Sequence, residues 1–330
     1  MHKVRWGILS TANIALTQVI PAIQRYENSE VIAIASGSGK AQQAADKLNI
    51  PKAYDSYEAL LEDSSIDAVY IPLPNHLHKQ WVMEAAKRGK HILCEKPASL
   101  TAKETAEMIR FCRSHNVKFM EAFMYQFHPQ HHRVKEILAS GAIGEVKQMR
   151  ASFSFYLDDR EANIRMNKDM GGGSIYDVGC YCIHAIRSIL ESEPLSVHAS
   201  ARIDSETGID LTSVGSMIME NGTVATFDCS FDMTFRNEYE IIGTKGQIRV
   251  PRAFRPDVSG GEGLILIQNA EGERSEQLAG DIYRSEIEHF SKAIIEDIDL
   301  SPFEEKTIKN MQVIEACYQS IATMGNRIDL

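Results

Sequence analysis

A chain of 330 residues exceeds the usual size of a single hydrophobic core, so two domains are expected, each large enough to bury a core of its own. The formal charge of −10, from 35 Lys and Arg against 45 Asp and Glu, argues against a nucleic-acid groove or a basic membrane-surface helix and points to a small-molecule partner. Six cysteines at 94, 112, 180, 182, 229 and 317 follow no disulfide framework, and no apolar run approaches the roughly 18–20 residues of a membrane span. Met1-His2-Lys3 runs straight into an expected strand with no signal-peptide apolar region, so the expectation is a cytoplasmic protein with reduced thiols.

The first third alternates strand and helix. Val4 to Leu9 reads as a buried strand, and Ser10-Thr11-Ala12-Asn13-Ile14-Ala15 as a turn into a helix ending near Tyr26. Strands are expected at Val31–Ala35, Asp67–Pro72, His91–Cys94 and Lys118–Glu121, with helices over 39–48, 78–88 and 101–115 between them. Such alternation predicts a parallel, doubly wound sheet with right-handed crossovers. The dinucleotide signature G-x-G-x-x-G/A appears in eroded form as Ser10-x-Ala12-x-x-Ala15. Its small residues still allow a pyrophosphate to approach the helix N-terminus, with the Ser10 and Thr11 hydroxyls as extra donors. After the second strand stands Ser36-Gly37-Ser38-Gly39-Lys40, with no carboxylate to clamp the ribose hydroxyls of NAD. Two hydroxyls, two glycines and a lysine suit a 2′-phosphate, which favours NADP and leaves NAD as the alternative.

The fourth strand ends in Glu95-Lys96-Pro97. The proline restricts the lysine backbone to extended geometry and offers no N–H, so the ammonium leaves the sheet edge in a set direction. In an open α/β sheet that edge is where ligands bind.

From Met124 onward the pattern changes. A helix over 130–140 precedes longer alternating strands at 146–157, 197–203, 211–220, 223–233, 239–243, 247–250 and 264–269, with hairpin turns at Asn221-Gly222 and Lys245-Gly246. This predicts a mostly antiparallel or mixed open sheet, followed by helices over 282–297 and 304–324. Domains are expected at 1–122 and 123–330. Between the first two of these strands, Gly171-Gly172-Gly173 introduces a helix over 175–191 that carries Asp177, Tyr181 and His184 at i, i+4 and i+7, on one face.

Lys96 in the Glu-Lys-Pro run, together with the triple glycine and the Asp177-x-Gly179-x-Tyr181 helix, resembles the Gfo/Idh/MocA oxidoreductases over nearly the whole chain. Asn75-x-x-His78, Phe127-His128-Pro129 and Ile242-Gly243-Thr244-Lys245-Gly246 support the resemblance. Tyr181, where inositol dehydrogenases of the family carry His, is similar to the branch holding glucose–fructose oxidoreductase, dimeric dihydrodiol dehydrogenase and NADP-dependent xylose dehydrogenase.

That resemblance implies hydride transfer between nicotinamide and a carbinol or carbonyl carbon of a sugar, polyol or trans-dihydrodiol. Tyr181 then passes the proton, Lys96 lowers its pKa, and Asp177 either bonds a substrate hydroxyl or orients Lys96. The expected cofactor contacts are Ser10, Thr11, Ala12, Asn13, Ile14, Ser36, Gly37, Ser38, Lys40, Pro72, Asn75, His78, Glu95 and Lys96. The expected substrate contacts are Lys96, Tyr125, Arg165, Asp177 and Tyr181. A homodimer or homotetramer through the second sheet is also implied. Gln126 stands where many relatives have Arg, and the glycine fingerprint is eroded. No metal is expected: Cys180 and Cys182 are about 200° apart on a helix, and His128, His131 and His132 lack partners at ligand spacing. The rival reading, a non-catalytic dinucleotide-sensing regulator of the same fold, would have no need of Lys96, Asp177 and Tyr181.

Overall fold

In a computed structural model, which describes residues 3–330, the chain forms two compact units. One comprises Met1–Phe123 with Tyr283–Met311, the other Met124–Ile282 with Gln312–Leu330. Met1 and His2, part of the expected leaderless start, lie outside the described residues.

The first unit is built on six parallel strands: β1 (Val4–Leu9), β2 (Ser29–Ala35), β3 (Lys52–Tyr54), β4 (Ala68–Ile71), β5 (His91–Glu95) and β6 (Phe119–Ala122). Their spatial order is β3-β2-β1-β4-β5-β6, so the order reverses between β1 and β4, as in dinucleotide-binding sheets. The helices between them are α1 (Ile20–Arg25), α2 (Ala41–Leu48), α3 (Tyr57–Leu61), α4 (Asn75–Lys87) and α5 (Ala102–Ser114). Strands covered on both faces read as continuous apolar runs, and Ala68-Val69-Tyr70-Ile71 is buried throughout. Local caps set the helix starts: the Ser56 side chain accepts from Ala59 N–H and that of Thr101 from Glu104 N–H.

The second unit holds α6 (Pro129–Ala139), β7 (Val146–Tyr156), α7 (Cys180–Leu190), β8 (Pro194–Ile203), β9 (Asp210–Met219), β10 (Val224–Ser230), β11 (Asp232–Gly243), β12 (Gly246–Val250), β13 (Glu262–Asn269) and β14 (Gly272–Ala279). The last helices of the chain are α8 (Ile282–Ile295) and α9 (Ser301–Ala322), followed by the short β15 (Ile328–Asp329). The nine strands from β7 to β15 run in the order β14-β13-β12-β11-β7-β10-β9-β8-β15. All pair antiparallel except β10 with β7. Both expected hairpins are present, β9–β10 and β11–β12. One face of this sheet carries α7 across β7 and β10, burying Met149, Ala151, Phe227 and Tyr239.

Tyr283–Met311, expected in the second domain, fold with the first unit. Phe290 is fully buried with its ring 5.7 Å from that of Trp6, and the Ser291 and Ser29 hydroxyls are 2.9 Å apart. An apolar helix face that covers β1 and β2 belongs to the core it completes, wherever it falls in the chain.

Candidate active site

In the first unit, Ser10, Ser36, Pro72 and Lys96 each follow the C-terminal end of a strand, so four of the expected cofactor residues share one sheet edge. Ser10 has φ of +145°, a conformation that glycine adopts freely and other residues rarely. It stands where the fingerprint has its first glycine, and its Oγ accepts the Ala12 N–H at 3.0 Å. The helix that follows opens with a π turn over Ala15–Val19.

Beyond β2 the hydroxyls of Thr11, Ser36 and Ser38 form a chain, with 3.4 Å from Thr11 Oγ1 to Ser36 Oγ and 2.8 Å from Ser36 Oγ to Ser38 Oγ. Gly37 and Gly39 face open space, and Ser38 and Lys40 are exposed. Three hydroxyls and an amine around a roomy loop fit a nucleotide carrying an extra phosphate.

Lys96 is half-buried, its peptide bond to Pro97 is cis, and its N–H donates to Glu95 Oε2 at 3.2 Å. Tyr70 donates its hydroxyl to Glu95 Oε1 at 2.5 Å. Past the proline, Ala98 N–H donates to the buried Glu121 carboxylate at 2.8 Å.

His78, expected among the cofactor contacts, is fully buried. Its Nδ1 lies 2.9 Å from the Pro97 carbonyl and its Nε2 2.8 Å from the Leu73 carbonyl, so it ties the loops after β4 and β5 together beneath Lys96. Burial pushes its pKa down to about 4, overriding the two carbonyls, which favour the charged form. The ring thus bridges the segments before α4 and before α5. Asn75, which opens α4, is half-buried on the same edge.

In the second unit the expected helix begins with a π turn over Ile175–Gly179 and continues as α7. π turns of this kind often mark functional sites. The three polar side chains of its face meet three different partners. Asp177 Oδ2 is 2.6 Å from Arg165 Nε, an ion pair that also holds the guanidinium above its ordinary pKa. Tyr181, 5% exposed, donates its hydroxyl to the Met124 sulfur at 3.4 Å, and its ring packs among Tyr125, Phe153 and Phe254 at 5.3–5.8 Å. His184 is buried, with Nδ1 2.6 Å from the Tyr125 hydroxyl.

Tyr125, expected to touch substrate, packs its ring against those of Tyr181, His184 and Phe254, and burial pushes its phenol well above the usual range. Of the discounted histidines, His128 caps α6, its Nδ1 accepting the Gln130 N–H, and His131 is buried between the Tyr239 hydroxyl and the Ala253 carbonyl. The residue that sequence reasoning missed is Asp210. It is buried, and its carboxylate accepts the Ile175 N–H at 2.8 Å, anchoring the start of the Tyr181 helix.

A parallel sheet with this strand order, carrying hydroxyls and two lysines beyond the C-terminal ends of its strands, has the architecture of a dinucleotide-binding unit. Residues 4–123 match the profile of an oxidoreductase family with an NAD-binding Rossmann fold, and residues 131–249 that of the GFO/IDH/MocA C-terminal domain. The chain belongs to the GFO/IDH/MocA oxidoreductases. It is 40% identical, over 98% of its length and 99% of the relative's, to a D-xylose 1-dehydrogenase (NADP(+)) from Haloferax volcanii. It is 34% identical, over 77% of its length and 76% of the relative's, to the trans-1,2-dihydrobenzene-1,2-diol dehydrogenase of Mus musculus. Among solved structures it is similar to a mutant 3-ketoreductase from Actinomadura kijaniata in complex with TDP-benzene and NADP. That likeness has a TM-score of 0.93 and 27% identity, and covers 97% of this chain and 98% of the other. Among the described residues, no helix is long and apolar enough to cross a membrane, and all six cysteines are free and buried.

Proposed function

We propose that this oxidoreductase prefers NADP(H) and transfers a hydride between nicotinamide and a carbinol or carbonyl carbon of a sugar, related polyol or trans-dihydrodiol. The observation that carries this reading is the 40% identity, across nearly all of both chains, to an NADP-dependent D-xylose dehydrogenase. The similarity to a dihydrodiol dehydrogenase and to a 3-ketoreductase bound to NADP supports alcohol and carbonyl chemistry of the same kind.

Nicotinamide, when bound, supplies the hydride acceptor or donor. Tyr181 takes the hydroxyl proton of the substrate in oxidation and returns it in reduction. A free phenol titrates near pH 10, so about neutrality it works only beside a cation, and the reading gives that part to Lys96. The contacts of His78, Glu95 and Glu121 with the backbone of residues 96–98 support a fixed attachment point for the lysine. Arg165 and Asp177, locked together, offer a rigid donor and acceptor to substrate hydroxyls. Ser36, Ser38 and Lys40 take the 2′-phosphate of NADP.

The sheet face opposite α7 exposes Val214, Ile218, Val224 and Leu266. The reading covers it with a second copy of the chain, in a cytoplasmic homodimer or homotetramer. Sedimentation of Val214→Asp tests that part: a species of half the wild-type mass or less is expected, and unchanged assembly counts against it.

The test of the reaction is a panel of aldoses, polyols and trans-dihydrodiols with NADP⁺ and NAD⁺, followed by absorbance of the reduced cofactor. Turnover with NADP⁺ on at least one pentose, hexose or diol is expected. No reduction with any of them would remove the reading.

A further inference from the structure

We propose that Asp210 is a positioning residue for the active-site helix: its buried carboxylate fixes, from another strand, the turn that joins Arg165 to Asp177 and Tyr181. The inference rests on the proposed roles of those residues.

Asp210 opens β9 and is 2% exposed. Its Oδ2 accepts the Ile175 N–H and the Ser174 hydroxyl at 2.8 Å each and the Ser213 hydroxyl at 3.0 Å, while its Oδ1 accepts the Tyr318 hydroxyl at 2.9 Å. A buried carboxylate persists only when such donors replace water. It therefore joins three elements: the helix start, its own strand and the C-terminal helix α9.

Helices α3 and α5 are capped locally. Ser56 and Thr101 each accept an N–H three residues on. The Tyr181 helix has no side-chain cap from Ser174, the residue that precedes it, and receives one across 35 residues of sequence instead. A local cap stabilises a helix wherever that helix lies. A remote one also fixes where its first turn sits on the sheet, and the negative charge suits that end of the helix dipole.

The adjoining backbone carries this anchorage to the site. Gly173 has φ of +121°, and a β-carbon there would run into Asp210 Oδ1 and the Tyr318 hydroxyl, so the carboxylate itself accounts for the last of the three glycines. Gly173 N–H donates to the Arg165 carbonyl at 3.0 Å, and Asp177 N–H donates to the Gly173 carbonyl at 3.1 Å. Arg165 and Asp177, already paired by side chain, are thus also tied through a peptide that abuts Asp210.

The test compares Asp210→Asn with Tyr318→Phe in the full-length protein. Asparagine keeps the shape but sets an N–H donor among four converging donors, whereas Tyr318→Phe removes one donor and leaves the bonds to Ser174 and Ile175. Small displacements of catalytic groups cost on the order of 10²-fold in rate, so Asp210→Asn is expected to lower kcat by about that factor. Dinucleotide Kd should stay within about twofold, because that mutation leaves the nucleotide-binding unit intact. Tyr318→Phe should keep kcat within about threefold even where its loss of thermal stability is similar.

Hydrogen exchange gives a readout independent of turnover: amides of residues 173–181 exchange faster in Asp210→Asn and unchanged in Tyr318→Phe. If Asp210→Asn does not fold, Ser174→Ala, which keeps the carboxylate and removes one donor, should lower kcat about fivefold and speed the same exchange. An Asp210→Asn enzyme with near-normal kcat, kcat losses that track stability in both variants, or unchanged exchange would overturn the inference. A wild-type enzyme inactive on every substrate would instead remove the proposed function, and the exchange comparison would still decide the role of Asp210.

Discussion

Arg165 Nε and Asp177 Oδ2 lie 2.6 Å apart across a loop that carries the three consecutive glycines. The sequence leaves two uses open for Asp177, a substrate hydroxyl or Lys96, and to these the structure adds a contact with this arginine. A charged pair at a site edge holds each partner in one orientation, so removing either one leaves the other misdirected. Arg165→Gln and Asp177→Asn are each expected to raise the KM for substrate about tenfold, and the double variant should cost little more than either single. Steady-state kinetics on the three proteins check this, and multiplicative losses would mean the two residues act separately.

The hydroxyl chain through Thr11, Ser36 and Ser38 predicts tighter binding of NADPH than of NADH by isothermal titration. Ser38→Asp places a carboxylate beside the ribose, repels the 2′-phosphate and should move the preference toward NADH. A wild-type protein that prefers NADH would contradict the assignment of this loop.

Ser10 holds a backbone conformation that costs a non-glycine residue about 1–3 kcal/mol. Ser10→Ala keeps that strain and loses the bond to Ala12 N–H, whereas Ser10→Gly loses the same bond and relaxes the strain. The glycine variant should therefore be the more stable by about 1–2 kcal/mol in urea unfolding. An alanine variant at least as stable would show that Ser10 is unstrained.

His131 is buried with Nδ1 3.0 Å from the Tyr239 hydroxyl, which can donate, and Nε2 3.0 Å from the Ala253 carbonyl, an arrangement a neutral imidazole satisfies with its single N–H. Burial pushes its pKa down to about 3 from an ordinary 6.5. The unfolded chain then binds a proton that the folded one refuses, so this contribution is fully present above pH 6.5 and is lost as pH falls toward the folded value. It should cost on the order of 2 kcal/mol between pH 7 and pH 5. Unfolding of His131→Asn should show a correspondingly shallower loss over that interval than wild type. Equal slopes would mean that His131 is not held neutral in the folded protein.

Much of the architecture was legible in the sequence because its signals are local. Lys96 at a strand end, the capping box at Thr101 and the hairpin at Asn221-Gly222 need only neighbouring residues to declare themselves. Lys52–Tyr54 and Gly272–Ala279 were passed over because each lies at an edge of its sheet: one is three residues long, and the other is mostly exposed and polar, so neither alternates clearly. Asp177, Tyr181 and His184 follow one another at helical spacing, but spacing does not say what each side chain meets. Tyr125 and His184 meet each other with the hydroxyl 2.6 Å from Nδ1, a contact between residues 59 apart in the chain that spacing alone does not show. The partners of His78, Leu73 and Pro97, offer carbonyls that any sequence possesses, so nothing local foretells them. Asp210 left no local trace, because its strongest partners lie 35 residues upstream and 108 downstream.

The central claim is that Tyr181 exchanges the substrate proton and Lys96 makes it able to do so. Lys96→Met, Tyr181→Phe and the double variant should be assayed for kcat across pH, with dinucleotide Kd measured alongside. Each single change should lower kcat on the order of 10²-fold or more while Kd stays within a few-fold, and the double should cost little more, as expected of residues acting as a unit. Near-normal turnover in either single variant, or losses that multiply in the double, would contradict the account.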